Sequence, residues 1–158
     1  MADVTAAMVK ELRERTQAGM SDCKSALVET AGDMEKAVEV ILKKGLAKSA
    51  KRAGAAATEG EVRAHVEGGK LGVLVEVNSQ TDFVARNDDF KTFVGNVVTV
   101  AMGTADGEDI GAKPYPGSDK TVEQFRAALA GTIGENIQVR RFARFEREGA
   151  GFVTSYVH

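Results

Sequence analysis

The first 52 residues place hydrophobic side chains at helical spacing. Val4, Met8 and Leu12 recur every four residues, and two further apolar stripes run up to the glycines Gly32 and Gly45. Stripes of this period, separated by glycine turns, predict three amphipathic helices, the last of them ending at Gly45. Because helices this short do not persist alone in water, we predict that they share one core as a small bundle.

The hydrophobic period changes beyond residue 54. Val62, Ala64 and Val66 alternate with polar residues, and the alternation resumes over residues 71–77 after a Gly-Gly-Lys turn at 68–70. A period of two on both sides of a short glycine turn predicts a β-hairpin of half-buried strands.

The remainder of the chain mixes both periods. It predicts a helix over residues 90–101, an exposed proline-containing loop over 103–119, a helix over 120–131 and a strand over 137–145. In that strand the apolar positions fall out of phase, which predicts a β-bulge near Arg140 and Arg141. The glycine and valines of residues 151–157 repeat the spacing of those in residues 60–66, so we expect a second hairpin to open there.

These patterns together predict an α+β fold in two parts. We expect a small N-terminal three-helix bundle over residues 1–54 and a core of antiparallel strands packed with helices over residues 55–158. The small residues 53–57 between them fit either a frayed helix end or a linker. A terminal strand without its hairpin partner would leave an open edge, which predicts a fragment of a longer core, or pairing with another strand or a second copy of the chain as a homo-oligomer.

The composition narrows the classes of function. The 158 residues are 43% hydrophobic, and 21 basic against 23 acidic side chains leave a formal charge of -2. A balance of this kind predicts no direct binding of nucleic acid. The chain has no apolar run near the roughly 18 residues that a membrane span requires, and no leader pattern at its start. We therefore expect a cytoplasmic protein that does not contact a membrane.

Candidate catalytic groups are few. Cys23 lies on an apolar helix stripe with no histidine nearby, which favours a structural thiol, and His65 falls on the polar face of a strand. The residues at 68–70 lack the leading glycine and the Ser or Thr of a phosphate-binding loop. These observations disfavour a small metabolic enzyme, and we expect no covalent chemistry, no metal site and no cofactor.

One polar segment, residues 78–87, contains two apolar side chains, Phe83 and Val84. Thr81 can cap a short helical turn that begins near Asp82. Two interpretations follow from composition alone: Phe83 folds onto the core, or it is an exposed aromatic anchor for a partner protein.

Four segments of the chain resemble bacterial elongation factor Ts, in the same order and over essentially the whole length. They are VKELRERT at 9–16, GMSDCKSAL at 19–27, EVNSQTDFVAR at 76–86 and IGENI at 133–137. The resemblance implies a guanine-nucleotide exchange factor for elongation factor Tu. It also implies that the N-terminal bundle is of the ubiquitin-associated type, and that a second half of the core is missing here.

The resemblance also implies roles for seven residues. The stretch associated in the family with displacing magnesium from the nucleotide site of elongation factor Tu corresponds to Thr81, Asp82, Phe83 and Val84. Contacts of the N-terminal module with the nucleotide-binding domain of elongation factor Tu correspond to Arg13, Gly19 and Met20. The alternative function is a protein-interaction module that binds a partner through the helical bundle without promoting exchange.

Overall fold

A computed structural model describes residues 4–158. Its elements, in chain order, are α1 (Ala6–Thr16), α2 (Met20–Glu29), α3 (Met34–Arg52), β1 (Glu59–Glu67), β2 (Leu71–Ser79), α4 (Asp82–Ala85), α5 (Asp88–Met102), a 3-10 turn (Ile110–Ala112), α6 (Val122–Ile133) and β3 (Gln138–Glu146). Helices and an antiparallel sheet confirm the predicted α+β class.

Helices α1, α2 and α3 form the predicted bundle. Side-chain caps begin two of them: the Thr5 hydroxyl accepts a hydrogen bond from the Met8 amide, and the Asp33 carboxylate accepts one from the Lys36 amide. The shared core consists of small and aliphatic side chains, namely Val9, Leu12, Ala18, Cys23, Ala26, Leu27, Ala37 and Ile41. This hydrophobic cluster is separate from that of the remaining chain.

The prediction that α3 ends at Gly45 is wrong. The helix continues to Arg52 and packs along α6. A Cβ atom on Gly131 of α6 would lie 2.6 Å from the Gly45 Cα atom, so the two helix backbones approach closely where both residues lack side chains. Gly45 therefore serves helix packing and not helix termination. The division into two domains near residue 54 stays a prediction.

The sheet contains the predicted hairpin. Strand β2 lies in the centre, and β1 and β3 pair with it antiparallel on either side. Glu76 pairs with Arg141 and Val77 pairs with Val139, so Arg140 is the extra residue on β3. The register thus confirms the predicted bulge.

Helices α5 and α6 supply the second core cluster. Helix α5 packs on the sheet, and the buried side chains Val73, Val75 and Val77 of β2 face it. Tyr115 stacks on Phe125 of α6, with ring centroids 3.8 Å apart. The segment 103–119 is therefore not simply an exposed loop, because its Ile110 and Tyr115 side chains are buried in this cluster.

The opposite face of the sheet is open and partly apolar. Val62 is 60% exposed and Leu74 is 42% exposed, whereas Arg63 of the same hairpin faces α5 and donates to the Lys91 carbonyl oxygen. The apolar side chains of β1 therefore point away from the helices. This is the opposite of the usual arrangement, in which the apolar face of a strand packs on the core.

The prediction of a strand over residues 151–157 is wrong. These residues form no strand, and one backbone hydrogen bond, from the Val153 amide to the Gly69 carbonyl oxygen at 2.8 Å, holds them beside the hairpin turn. Val153 instead occupies the space above Gly72, where no side chain stands in its way. Edge pairing with a second copy of the chain stays a prediction.

Within residues 4–158, none of the helices combines the length and apolar character that crossing a bilayer demands.

Candidate functional site

The candidate site is a single helical turn, α4, between the end of β2 and the start of α5. Thr81 caps the turn: its backbone is extended and its hydroxyl accepts a hydrogen bond from the Val84 amide. Asn87 follows the turn and caps the start of α5: its side-chain oxygen accepts a hydrogen bond from the Asp89 amide at 2.8 Å. Two caps within seven residues make this connection stiff. The structure confirms the predicted turn near Asp82.

Two apolar neighbours on this turn point in different directions. Val84 is half-buried and packs against the main core cluster. Phe83 is 81% exposed, and no other phenylalanine in the described chain is more exposed. Of the two interpretations that composition left open, the structure supports the exposed aromatic side chain.

Opposite charges flank Phe83. The Asp82 carboxylate lies 3.2 Å from the Arg86 guanidinium, one helical turn away; the Arg86 side chain is largely in solvent and the Asp82 side chain is about half exposed. An exposed pair of this type contributes at most about 1 kcal/mol. Asp82 can therefore exchange Arg86 for a cation or a hydrogen-bond donor of a partner at little cost.

The segment after α6 supports the turn from behind. The Glu135 carboxylate accepts hydrogen bonds from the Thr81 hydroxyl and the Thr81 amide, and the Gln80 side-chain oxygen accepts from the Asn136 amide. The sequence places these partners more than 50 positions apart, and no local pattern marks Glu135 as part of the site. The only feature of the sequence that pointed to Glu135 is that it lies in the segment 133–137, which resembles elongation factor Ts.

The predicted N-terminal contact residues lie at the corner between α1 and α2. Arg13 is exposed in the last turn of α1, Gly19 caps the start of α2 without a side chain, and Met20 is 49% exposed. Within the described residues, no hydrogen bond or ion pair connects Arg13, Gly19 or Met20 to α4. These three residues therefore have no polar contact with the α4 turn, and they form a second candidate surface.

Over residues 4–158, no three side chains among His, Cys, Asp and Glu cluster closely enough to hold a metal ion. Burial raises the pKa of the Cys23 thiol, which disfavours the nucleophilic thiolate. What the α4 turn offers is a rigidly mounted aromatic side chain with a carboxylate beside it, an arrangement suited to contacting another protein.

Known proteins resemble this chain over its whole length. A family model described as Elongation factor TS matches residues 80–158, which include the α4 turn. Elongation factor Ts of Paramagnetospirillum magneticum is 55% identical over 159 residues, covering all of this chain and 50% of the relative. That of Methylobacterium nodulans is 53% identical, covering all of this chain and 51% of the relative. The chain spans about half the length of these curated relatives, and it belongs to the elongation factor Ts family.

Proposed function

We propose that this chain promotes release of GDP from elongation factor Tu and so acts as a guanine-nucleotide exchange factor. The observation that carries the proposal is the 81% exposure of Phe83 on a doubly capped turn. Membership of the elongation factor Ts family supports the choice of partner, because the α4 turn lies inside the matched region.

The proposed activity is differential binding and involves no covalent step. A factor that binds the nucleotide-free state of its partner more tightly than the GDP-bound state lowers the barrier to GDP release. By linkage, GDP weakens binding of the factor to the same extent. A side chain that occupies space near the nucleotide site only when the site has rearranged provides such a difference.

Phe83 is the side chain proposed to do this. It enters an apolar pocket of elongation factor Tu, while Asp82 interacts with polar groups near the magnesium site. Val84 anchors the turn to the core and Thr81 fixes its first residue. Burying a phenylalanine contributes about 2–3 kcal/mol. If this energy is gained only in the nucleotide-free complex, it corresponds to roughly 30- to 160-fold in the rate of GDP release.

The corner between α1 and α2 is proposed as the second contact with elongation factor Tu. Met20 supplies an exposed apolar surface there, and Arg13 supplies an exposed positive charge in the last turn of α1. Because this surface has no polar contact with the α4 turn, we expect it to contribute to affinity and not to the rate of release from the formed complex. Variants at Met20 should therefore raise the concentration of factor needed for half-maximal release.

The test measures release of a fluorescent GDP analogue from elongation factor Tu in excess unlabelled GDP, across a range of concentrations of this chain. The decisive variant is Phe83→Ala, and the matched control is Phe152→Ala, since Phe152 is 78% exposed but lies outside the proposed site. We expect Phe83→Ala to lower the maximal rate by at least about tenfold. Phe152→Ala should leave it unchanged.

Two results would contradict the proposal. Equal rates for Phe83→Ala and the unchanged chain would remove Phe83 from the mechanism. Binding of elongation factor Tu without any acceleration of release would favour the alternative function, a module that recognises a partner through its helical bundle and leaves the nucleotide in place.

A further inference from the structure

Helix α6 ends in a geometry that turns the chain back toward the candidate site. Gly134 has a left-handed backbone, with φ of 87°, and its amide donates to the Ala130 carbonyl oxygen at 2.8 Å. Glycine adopts this conformation without strain. The next residue, half-buried Glu135, is thereby directed to the first residue of the α4 turn.

Glu135 holds Thr81 at two points. One carboxylate oxygen accepts from the Thr81 hydroxyl at 2.7 Å, and the other accepts from the Thr81 amide at 3.0 Å. Both bonds are charge-assisted, which makes them stronger than bonds between neutral groups. Since Thr81 is the N-cap of α4, this carboxylate fixes both the backbone and the capping side chain from which the turn starts.

The neighbouring residue prevents the segment from moving away. The Asn136 side chain is 2% exposed and donates to the carbonyl oxygens of Ala53 and Ala55, at 3.3 Å and 2.8 Å. Its backbone amide donates to the Gln80 side chain at 2.7 Å. Glu135 is therefore held on one side by buried hydrogen bonds while it holds Thr81 on the other.

Phe83 depends on this support for its direction. It is largely in solvent, and a helical turn of four residues does not persist without a fixed start. We propose that Glu135 is a positioning residue for nucleotide exchange, which acts by holding Thr81 so that Phe83 is presented in one orientation. This inference rests on the exchange function proposed above.

The experiment compares Glu135→Ala with Glu135→Gln and with Glu148→Ala. Alanine removes both acceptors. Glutamine keeps the size and shape of the glutamate side chain. Its side-chain oxygen can accept a hydrogen bond from the Thr81 amide, and its side-chain NH2 group can donate one to the Thr81 hydroxyl oxygen. Glu148 is an exposed glutamate outside the site, so its replacement controls for the loss of a charge.

Two measurements are made on each protein. The first is amide hydrogen exchange, where Glu135→Ala should increase the exchange of Thr81 and Val84 by at least about tenfold while Val97 in α5 keeps its protection. The second is the maximal rate of GDP release from elongation factor Tu at saturating factor. We expect Glu135→Ala to lower this rate by at least about fivefold, and Glu135→Gln to restore it to within about twofold.

The outcomes separate the positioning role from simple stabilisation and from the proposed function. Equal loss of protection at Val97 would mean that Glu135 stabilises the whole core, and the positioning role would be wrong. It would also be wrong if Thr81 exchanged faster but the rate of GDP release did not fall. Failure of the unchanged chain to accelerate release would reject the exchange function, while the exchange of the Val84 amide, which does not contact Glu135, would still show whether Glu135 holds the turn.

Discussion

The contact between α3 and α6 allows a sharp test of how the helical bundle is attached to the core. Gly131 faces the backbone of Gly45, and a methyl group added at Gly131 would lie 2.6 Å from the Gly45 Cα atom and 2.8 Å from its carbonyl carbon. Ordinary carbon contacts are about 3.5–4.0 Å, so the two helices must separate by about 1 Å. No flexible side chain is available to move instead.

The size of the effect follows from two opposed contributions. Replacing glycine by alanine inside a helix stabilises it by about 1 kcal/mol. Forcing two packed backbones apart costs about 3 kcal/mol, the upper end for overpacking, because neither side can yield by changing a rotamer. We therefore expect Gly131→Ala to lower the free energy of unfolding by about 2 kcal/mol and the melting temperature by roughly 4–8 °C.

Gly45 supplies a matched control, because an added Cβ atom there would meet nothing closer than 3.9 Å. Its replacement by alanine should therefore stabilise the protein, by about 0.5–1 kcal/mol. Gly45 and Gly131 lie on opposite sides of the same contact. Opposite signs of the change in the free energy of unfolding would therefore show that the effect of Gly131→Ala comes from the close approach of its Cβ atom to α3.

The assay is urea unfolding monitored by circular dichroism, with thermal melting as a second measure. A stability of Gly131→Ala equal to or above that of the unchanged protein would refute the close approach of α3 and α6. Destabilisation by Gly45→Ala of the same size would also refute it, since it would show that any side chain in this contact is harmful.

Three further predictions concern stability and reactivity. A hydrogen bond from Arg141 holds the pKa of Glu76 below its usual 4.5, so the stabilisation that Glu76 provides is full above that pH and is lost as the pH falls through the lower folded-state pKa. Glu76→Gln should be less stable at pH 7 and lose less stability in acid, and urea titrations with equal acid dependence for both proteins would contradict this. Thr121→Ala removes the capping box of α6 and should cost about 1 kcal/mol in thermal unfolding, whereas an unchanged melting temperature would show the cap to be idle. Burial raises the pKa of Cys23, so iodoacetamide at pH 8 should modify it quickly only in urea, and rapid labelling of the folded protein would place it at the surface.

Local patterns were sufficient for most of the elements. The alternation of residues 71–77 and the turn at 68–70 predicted the hairpin, because strand period and turn chemistry act between residues close in sequence. The phase shift in β3 predicted its bulge for the same reason. The error at Gly45 had a physical cause: a glycine that ends a helix and one that admits a second helix look alike in sequence.

The sequence predicted which residues form the α4 turn, but it did not predict the contact with Glu135 that holds the turn in place. The apolar pair Phe83 and Val84 within a polar segment marked the turn, and Thr81 marked its start. Whether Phe83 packs inward or points to solvent depends on which face of α4 meets the core, and Val84 occupies that face. Glu135 lies 54 positions from Thr81, beyond the reach of any periodic pattern.

The sequence by itself determined most of the helices and strands, the turn at 68–70 and the α+β class, since these depend on interactions within a few residues; the strand expected over residues 151–157 was the exception. The tertiary structure alone decided the continuation of α3 along α6, the outward orientation of Val62 on β1, and the hold of Glu135 on Thr81. Each of these depends on the approach of elements distant in the chain, where close packing and buried hydrogen bonds select one arrangement among those that the local pattern allows.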